Sequence, residues 1–496
     1  MKSLGNLIRK YIAENGLTIY KTAAMAGVNR TTLQKVLSDE RNASEELIKK
    51  LLSILKLSPS EEKELRELFE IQQIGEDVYL QRQYIKRSIE AMAGLDGWFS
   101  HSPAINETSF AFQEEELIVQ AESSLVRGLP SVRHLLYSIA RYAQRKEGAE
   151  LLLYAPGNLS ALKALLFPRI FSGGSHAPTR LRHITPMIKV PAAAATPLTN
   201  LEILFNVFPF TISQYFRYEV FCFYSRELLP EPVQHAFPYY MVADNIVLLL
   251  SCDGQTALCL TKPDIVAHFR NLFLDSLSKA TSMVFSQTTP VSILQNMLED
   301  DFPAGPLHTL EWQPCLATFL TEEMVEKYVI PDLPGREEII RLGCARIRQL
   351  AGMEEHSCIF SRSGMEEFAQ TGVISDIPSQ YAYPLDIEDR IRILTTMYNV
   401  CQEDREFLRL INPVTFRLSR YFYAALRGSD VLDFCGIDTI HSEFNYIRIT
   451  EPSFLDAFRD FYCYLPESGL ICSKEETLNA VAETIRHLRE LKPTGH

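Results

Sequence analysis

The chain of 496 residues carries 49 Lys and Arg against 62 Asp and Glu, a formal net charge of −13, with 46% hydrophobic and 22% charged residues. That length exceeds what one hydrophobic core serves and implies about two to four domains, and the apolar content excludes a disordered chain. No run approaches the roughly 18 apolar residues of a membrane span, and the opening MKSLGNLIRKYI turns amphipathic at once instead of forming a secretory leader. A cytoplasmic protein is expected, its ten scattered cysteines reduced, since none forms a C-x-x-C pair.

In chain order, Leu7, Ile8, Tyr11 and Ile12 predict a first amphipathic helix. Residues 17–42, LTIYKTAAMAGVNRTTLQKVLSDERN, then have the pattern of a helix-turn-helix. Such a motif needs a small residue where two backbones cross, a residue that accepts positive φ in the turn, and apolar residues that seat the second helix. Ala23, Gly27 and Val28, then Leu33 and Val36, fill those roles. Asn29 suits the N-cap, so the second helix starts at Arg30 and leaves Arg30, Thr31, Gln34, Lys35 and Ser38 on its outer face. Arginine or lysine can read guanine in a major groove, and threonine can touch a thymine methyl. Ser44 to Leu55 predicts a following helix with a stripe of Leu47, Ile48, Leu51, Leu52 and Leu55, and Ser60 is expected to open a fifth. Residues 1–58 hold ten Lys and Arg against five Asp and Glu, whereas the rest of the chain holds 39 against 57. A basic module on an acidic body confines attraction for phosphates to the N-terminal part.

Five short helices in this order resemble the lambda-repressor/Cro-like DNA-binding domain of the Xre regulators, over about residues 1–70. The resemblance implies base contacts from Arg30, Thr31 and Lys35, with Asn29, Ser38, Arg41 and Asn42 near phosphates, and a homodimer on two half-sites of duplex DNA. Many members carry Gln at the first position of the first motif helix, and this chain has Ile19 there, with Thr18 or Tyr20 as substitutes for the backbone contact.

The remaining chain is expected to be α and α/β. Beyond the DNA-binding domain (1–72), a helical connector spans 73–145, opened by the joint at Gly75, with Val78, Ile85, Ile89 and Met92 along one side of a helix that either pairs with a second chain or packs on its own body. A first α/β unit covers 146–285. Its β-like runs are Glu150–Tyr154, Pro186–Val190, Leu201–Val207, Tyr218–Tyr224, Tyr239–Val242, Ile246–Leu250 and Ala257–Leu260, with a hairpin signal at Asp253-Gly254. Helices are read at Leu159–Leu166 and Asp264–Ser278. Linker and helices fill 286–350, and a second α/β unit covers 351–496.

Thr261–Phe273 echoes Thr450–Tyr462 at a constant offset of 189 residues, with Thr, Pro, Phe and Arg identical. In each copy a strand end precedes a proline in the first turn of a helix, followed by an apolar stripe. The echo has two readings, a duplicated unit or a common strand-to-helix joint reached twice; the first puts a cleft between two lobes. Paired lobes of this kind resemble duplicated phospholipase-D-like folds, but no His is followed two residues later by Lys, so no such activity is implied. The stretches CIFSRSGMEEFAQTG from Cys358 and YPLDIEDRIRIL from Tyr383 are similar to the C-terminal bodies of other long Xre-type regulators of anaerobic Gram-positive bacteria, which implies organisation and no chemistry.

The sequence carries no active-site motif. The eleven histidines form no H-E-x-x-H and no Cys/His finger, no G-x(4)-G-K-[ST] loop occurs, and Ser361-Arg-Ser-Gly lacks the leading glycine of a nucleophile elbow. No enzyme, metal or cofactor is expected. The sequence points to a DNA-binding transcriptional regulator whose body senses a small-molecule or peptide effector or mediates oligomerisation. A DNA-targeted nuclease and a peptide-sensing regulator built of helical repeats are the alternatives; the second needs helix pairs recurring near every 34 residues, against which the β-rich stretches stand.

Overall fold

The computed structural model describes residues 3–100, 125–144, 146, 148–166, 179–189, 198–211, 216–225, 237–287, 289–299, 305–353, 355–377, 379–420, 422–428, 431–437 and 444–491. It divides into two compact units, Met1–Tyr84 and Ile85–His496.

The first unit is a bundle of five helices: α1 (Leu4–Glu14), α2 (Ile19–Ala26), α3 (Arg30–Leu37), α4 (Glu45–Ile54) and α5 (Pro59–Ile74). Ile8, Leu33, Leu51, Leu55 and Leu65 are wholly buried in its core, each such side chain contributing about 1.5–3 kcal/mol of transfer free energy. Side chains cap the starts: Ser3, Thr18, Asn29 and Ser44 each accept a backbone N–H from the first turn of α1 to α4. The fifth helix corrects the sequence reading. Its cap is Ser58, not Ser60, and Glu61 closes a capping box by accepting from the Ser58 N–H at 2.8 Å. Pro59 at the first helical position reserves Ser58 for the cap, since proline has no N–H to leave unsatisfied. After Gly75 (φ 88°) the helix α6 runs Glu76–Ser100, with Ile85 and Ile89 fully buried; the Met92 side chain lies outside the described residues.

The second unit holds two mixed sheets. The first takes β1 (Leu125–Arg127), β2 (Glu150–Tyr154), β3 (Thr179–Ile188), β4 (Phe216–Ser225), β5 (Tyr239–Ala243), β6 (Ile246–Leu250), β7 (Thr256–Leu260) and β8 (Thr281–Ser282) in the order β1-β7-β6-β5-β2-β3-β4-β8. Between its strands lie α7 (Leu129–Gln144), a 3₁₀ turn at Ser160–Leu166, α8 (Leu198–Thr211) and α9 (Pro263–Leu277). The second sheet takes β9 (Val284–Gln287), β10 (Leu307–Glu311), β11 (His356–Phe360), β12 (Phe407–Leu410), β13 (Tyr423–Arg427), β14 (Val431–Ile437) and β15 (Phe444–Ile449), ordered β12-β11-β10-β13-β14-β15-β9. Its helices are α10 (Pro290–Glu299), α11 (Glu322–Tyr328), α12 (Arg336–Ala351), α13 (Arg362–Thr371), α14 (Ile387–Gln402), α15 (Pro452–Tyr464) and α16 (Lys474–Leu491).

The second sheet repeats the first strand for strand. In each, three consecutive strands run parallel (β2-β3-β4, β10-β11-β12). The next three form an antiparallel meander from the first of them (β5-β6-β7, β13-β14-β15). The strand that opens each lobe pairs antiparallel on the far edge, β1 on β7 and β9 on β15. The sequence echo marks one joint of this repeated plan: Pro263 and Pro452 open α9 and α15 directly after β7 and β15. Phe454, Leu455, Phe458, Phe461 and Tyr462 of α15 are all buried, whereas on α9 the stripe is narrower than expected, with Val266 and Phe273 buried and Leu272 exposed.

Four stretches differ from the sequence reading. Leu201–Val207 is not a strand but part of α8: its polar residues Glu202 and Asn206 fall four apart on one half-buried face, the spacing of a helix and not of a strand. Residues 125–127, expected within a helical connector, form the edge strand β1. Residues 284–287, straddling the expected end of the first α/β unit at 285, supply an edge strand of the second sheet, and residues 307–311, expected to be linker and helix, supply an interior strand.

The two sheets are stitched by one short segment. Residues 281 and 282 pair with Cys222 and Phe221 of β4, and after Met283 alone the chain pairs with β15 as β9. Met283 is buried, and its N–H donates to the Val220 carbonyl at 3.0 Å. Phe205 of α8 packs edge-on against Phe454 of α15 with centroids 5.4 Å apart, and the Tyr224 hydroxyl donates to Glu451.

Candidate nucleic-acid interface

The helix-turn-helix geometry starts from the turn. Gly27 adopts φ 66°, ψ 30°, and its N–H and that of Val28 return to the Ala23 and Ala24 carbonyls that α2 leaves open. Ala23 and Ala26 are buried where α2 meets its neighbours, and Val28 packs on the same core. Asn29 accepts the Thr31 N–H at 3.1 Å, which fixes the start of α3 at Arg30. Leu33, Val36 and Leu37 then bury the inner face of α3.

Every residue expected to meet DNA is exposed: Asn29, Arg30, Thr31, Gln34, Lys35, Ser38, Arg41 and Asn42. They are not equivalent. Among the described residues the side chains of Arg30, Gln34 and Lys35 have no hydrogen-bond or ion-pair partner. Ser38 is already engaged: its hydroxyl lies 3.1 Å from the Gln34 carbonyl, 3.2 Å from that of Lys35 and 3.0 Å from the Glu40 carboxylate. Arg41 and Asn42 follow the end of α3 in the loop to α4. Ile19 packs against the bundle, which accounts for an apolar residue at that position; Thr18 caps α2 by accepting the Lys21 N–H, and Tyr20 is 68% exposed beside it.

One support escaped sequence reading. A Cβ on Gly5 would come within 2.6 Å of the Leu37 carbonyl oxygen and 2.7 Å of that of Val36, so only glycine allows α1 to lie this close to the end of α3. The Gly5 N–H donates to the Asp39 carboxylate at 3.1 Å, and the Arg9 guanidinium donates to the Leu37 carbonyl at 3.2 Å. Asp39, at φ 57°, turns the chain away after α3. The signal was the glycine in an otherwise strongly periodic helix.

A capped two-helix motif with an αL glycine in its turn and an exposed polar outer face on its second helix defines the class of DNA-binding helix-turn-helix domains. Residues 8–61 match the helix-turn-helix family model, and the N-terminal unit is a helix-turn-helix domain of the lambda-repressor-like, Xre type. No curated protein matches the chain. Among solved structures it is similar to that of TrmBL2, an archaeal chromatin protein reported to show a novel mode of DNA binding, at 12% identity over 56% of this chain and 100% of that one, with a TM-score of 0.18. At that score the likeness carries no structural argument.

Outside this domain, no group of three or more His, Cys, Asp or Glu among the described residues could hold a metal ion. His183 of β3 is a satisfied interior residue, Nδ1 lying 2.7 Å from the Tyr218 hydroxyl and Nε2 2.8 Å from the Ala155 carbonyl, and burial depresses it to about 4. The described cysteines are free thiols, most of them buried. No described helix is long and apolar enough to cross a membrane.

Proposed function

We propose that the chain is a sequence-specific transcriptional regulator, without enzymatic activity, that binds duplex DNA as a homodimer through α3. Arg30, Thr31, Gln34 and Lys35 meet base edges, while Asn29, Arg41 and Asn42 lie at phosphates; Ser38 serves chiefly to finish the helix. The observation that carries this reading is the unpartnered polar face of α3, held at a fixed angle by a buried inner face. The Ile85–His496 unit senses an effector and favours one placement of the two DNA-binding domains, because only differential affinity for two states moves an equilibrium.

Binding of the full chain to its own upstream region, titrated at several salt concentrations, tests it. A specific complex should weaken with salt at a slope of about −0.9 per phosphate neutralised. Absence of a specific complex, an affinity indifferent to salt, or cleavage of the duplex in the presence of a divalent metal would each overturn the reading.

A further inference from the structure

The second lobe contains a cavity of about 280 Å³ between α10, α12, residues 373–377 and 379–385, and the sheet, roughly twice the volume of an engineered void that takes up benzene. Its walls are aliphatic, including Ile293, Leu294, Leu307, Ile347 and Leu350, and polar groups enter at Asp376 and Arg346. Beneath it sits a buried carboxyl. Glu311 shares with Leu307 the cavity side of β10, two pleats along, and lies directly across from Tyr423, which also lines the cavity. Glu311 is 1% exposed, and its Oε2 has no hydrogen-bond partner among the described residues; Oε1 accepts a weak contact from the Cys358 thiol at 3.4 Å, with the Thr309 hydroxyl close by on the same face of β10.

A buried carboxyl oxygen without a donor is costly. Burial first, and then the neighbouring Asp376, hold the Glu311 carboxyl well above its usual range, and burial pushes Asp376 up to about 6. The positive charge nearby is partly committed, since Arg346 donates to Gln349 at 2.7 Å. Two carboxyls against one guanidinium leave the polar end short of a cationic donor.

We propose that this cavity binds an organic amine or amidine carried on an apolar body, its cationic head meeting Asp376 at the wall, with the Glu311 carboxyl behind it, and its body filling the aliphatic space. As an effector site it rests on the regulator reading above; as a binding site it does not.

Calorimetric titration of the full chain at neutral pH with 4-phenylbutylamine, 4-phenylbutanol and 4-phenylbutyrate presents three head groups on one body. The amine should bind about tenfold or more tightly than the other two. Glu311→Gln or Asp376→Asn should erase that preference while leaving the alcohol bound, and Ala317→Phe, which occupies the cavity, should remove all three; where one carboxamide variant fails to fold, the other gives the result. Equal binding of the three heads, tightest binding of the carboxylate, no binding at all, or an amine preference unchanged in the carboxamide variants would overturn the proposal. DNA binding is measured separately on the ligand-free chain. If it fails while the amine preference holds, the regulator reading falls and the site stands; the reverse outcome leaves a regulator without this site.

Discussion

Gly5 and Asp39 tie the helix that opens the chain to the end of α3. Because the clash at Gly5 is with backbone carbonyls and not with a flexible side chain, Gly5→Ala should cost about 1–3 kcal/mol and weaken DNA binding by misplacing α3; denaturant unfolding of the N-terminal unit and a DNA titration measure both. Arg30→Ala should behave differently. Its side chain has no internal partner, so stability stays within about 0.5 kcal/mol while discrimination falls by about 1–3 kcal/mol at one base pair of the operator; competition between operator variants reads this, and unchanged discrimination would move the reading residue elsewhere on α3.

At the level of elements, the helices of the first unit were legible because each announces itself locally: a capping Ser, Thr or Asn followed by a stripe at helical period. The one misplaced boundary shows how such a signal fails, since Ser58 and Ser60 flank Pro59 and only Ser58 has Glu61 three residues on. Ser58→Ala should therefore cost about 1 kcal/mol and Ser60→Ala almost nothing, a contrast that thermal unfolding of the two variants measures. The sheets were less legible. β10 (LHTLE) sits between segments of low pattern and carries Glu311 on its buried side, so alternation alone could not mark it as central. Leu201–Val207 failed for a different reason: it is short and mostly apolar, and the helical spacing of Glu202 and Asn206 was the signal passed over. The cavity was illegible, because its lining comes from residues between 290 and 423 that only the tertiary fold collects.

In the whole molecule, buried His183 and half-buried Asp376 pull the pH dependence in opposite directions. His183 titrates near 4 in the fold, below its ordinary 6.5. The unfolded chain therefore takes up a proton that the fold refuses, and the stability it contributes above pH 6.5 is lost as pH falls toward 4, by about 3 kcal/mol. Asp376 is raised from 3.8 to about 6, so it costs stability above pH 6 and that cost is relieved as pH falls toward 3.8. Asp376→Asn should thus stabilise the protein by about 2–3 kcal/mol at pH 8 with the gain vanishing near pH 4, whereas His183→Gln should flatten the acid-side loss; urea unfolding across that range distinguishes them, and a pH-independent effect of Asp376→Asn would contradict the assigned shift. The stitch between the sheets has a mechanical consequence. With Met283 alone separating β8 from β9, and that residue buried and hydrogen-bonded, the two lobes share a peptide in place of a linker. A hinge at this point would have to take its whole dihedral change at Met283. A clam-like opening at the midline would break the Met283–Val220 hydrogen bond and expose Met283, so it costs more than a slide of packed helices, such as α15 along α8, by about 1–2 Å.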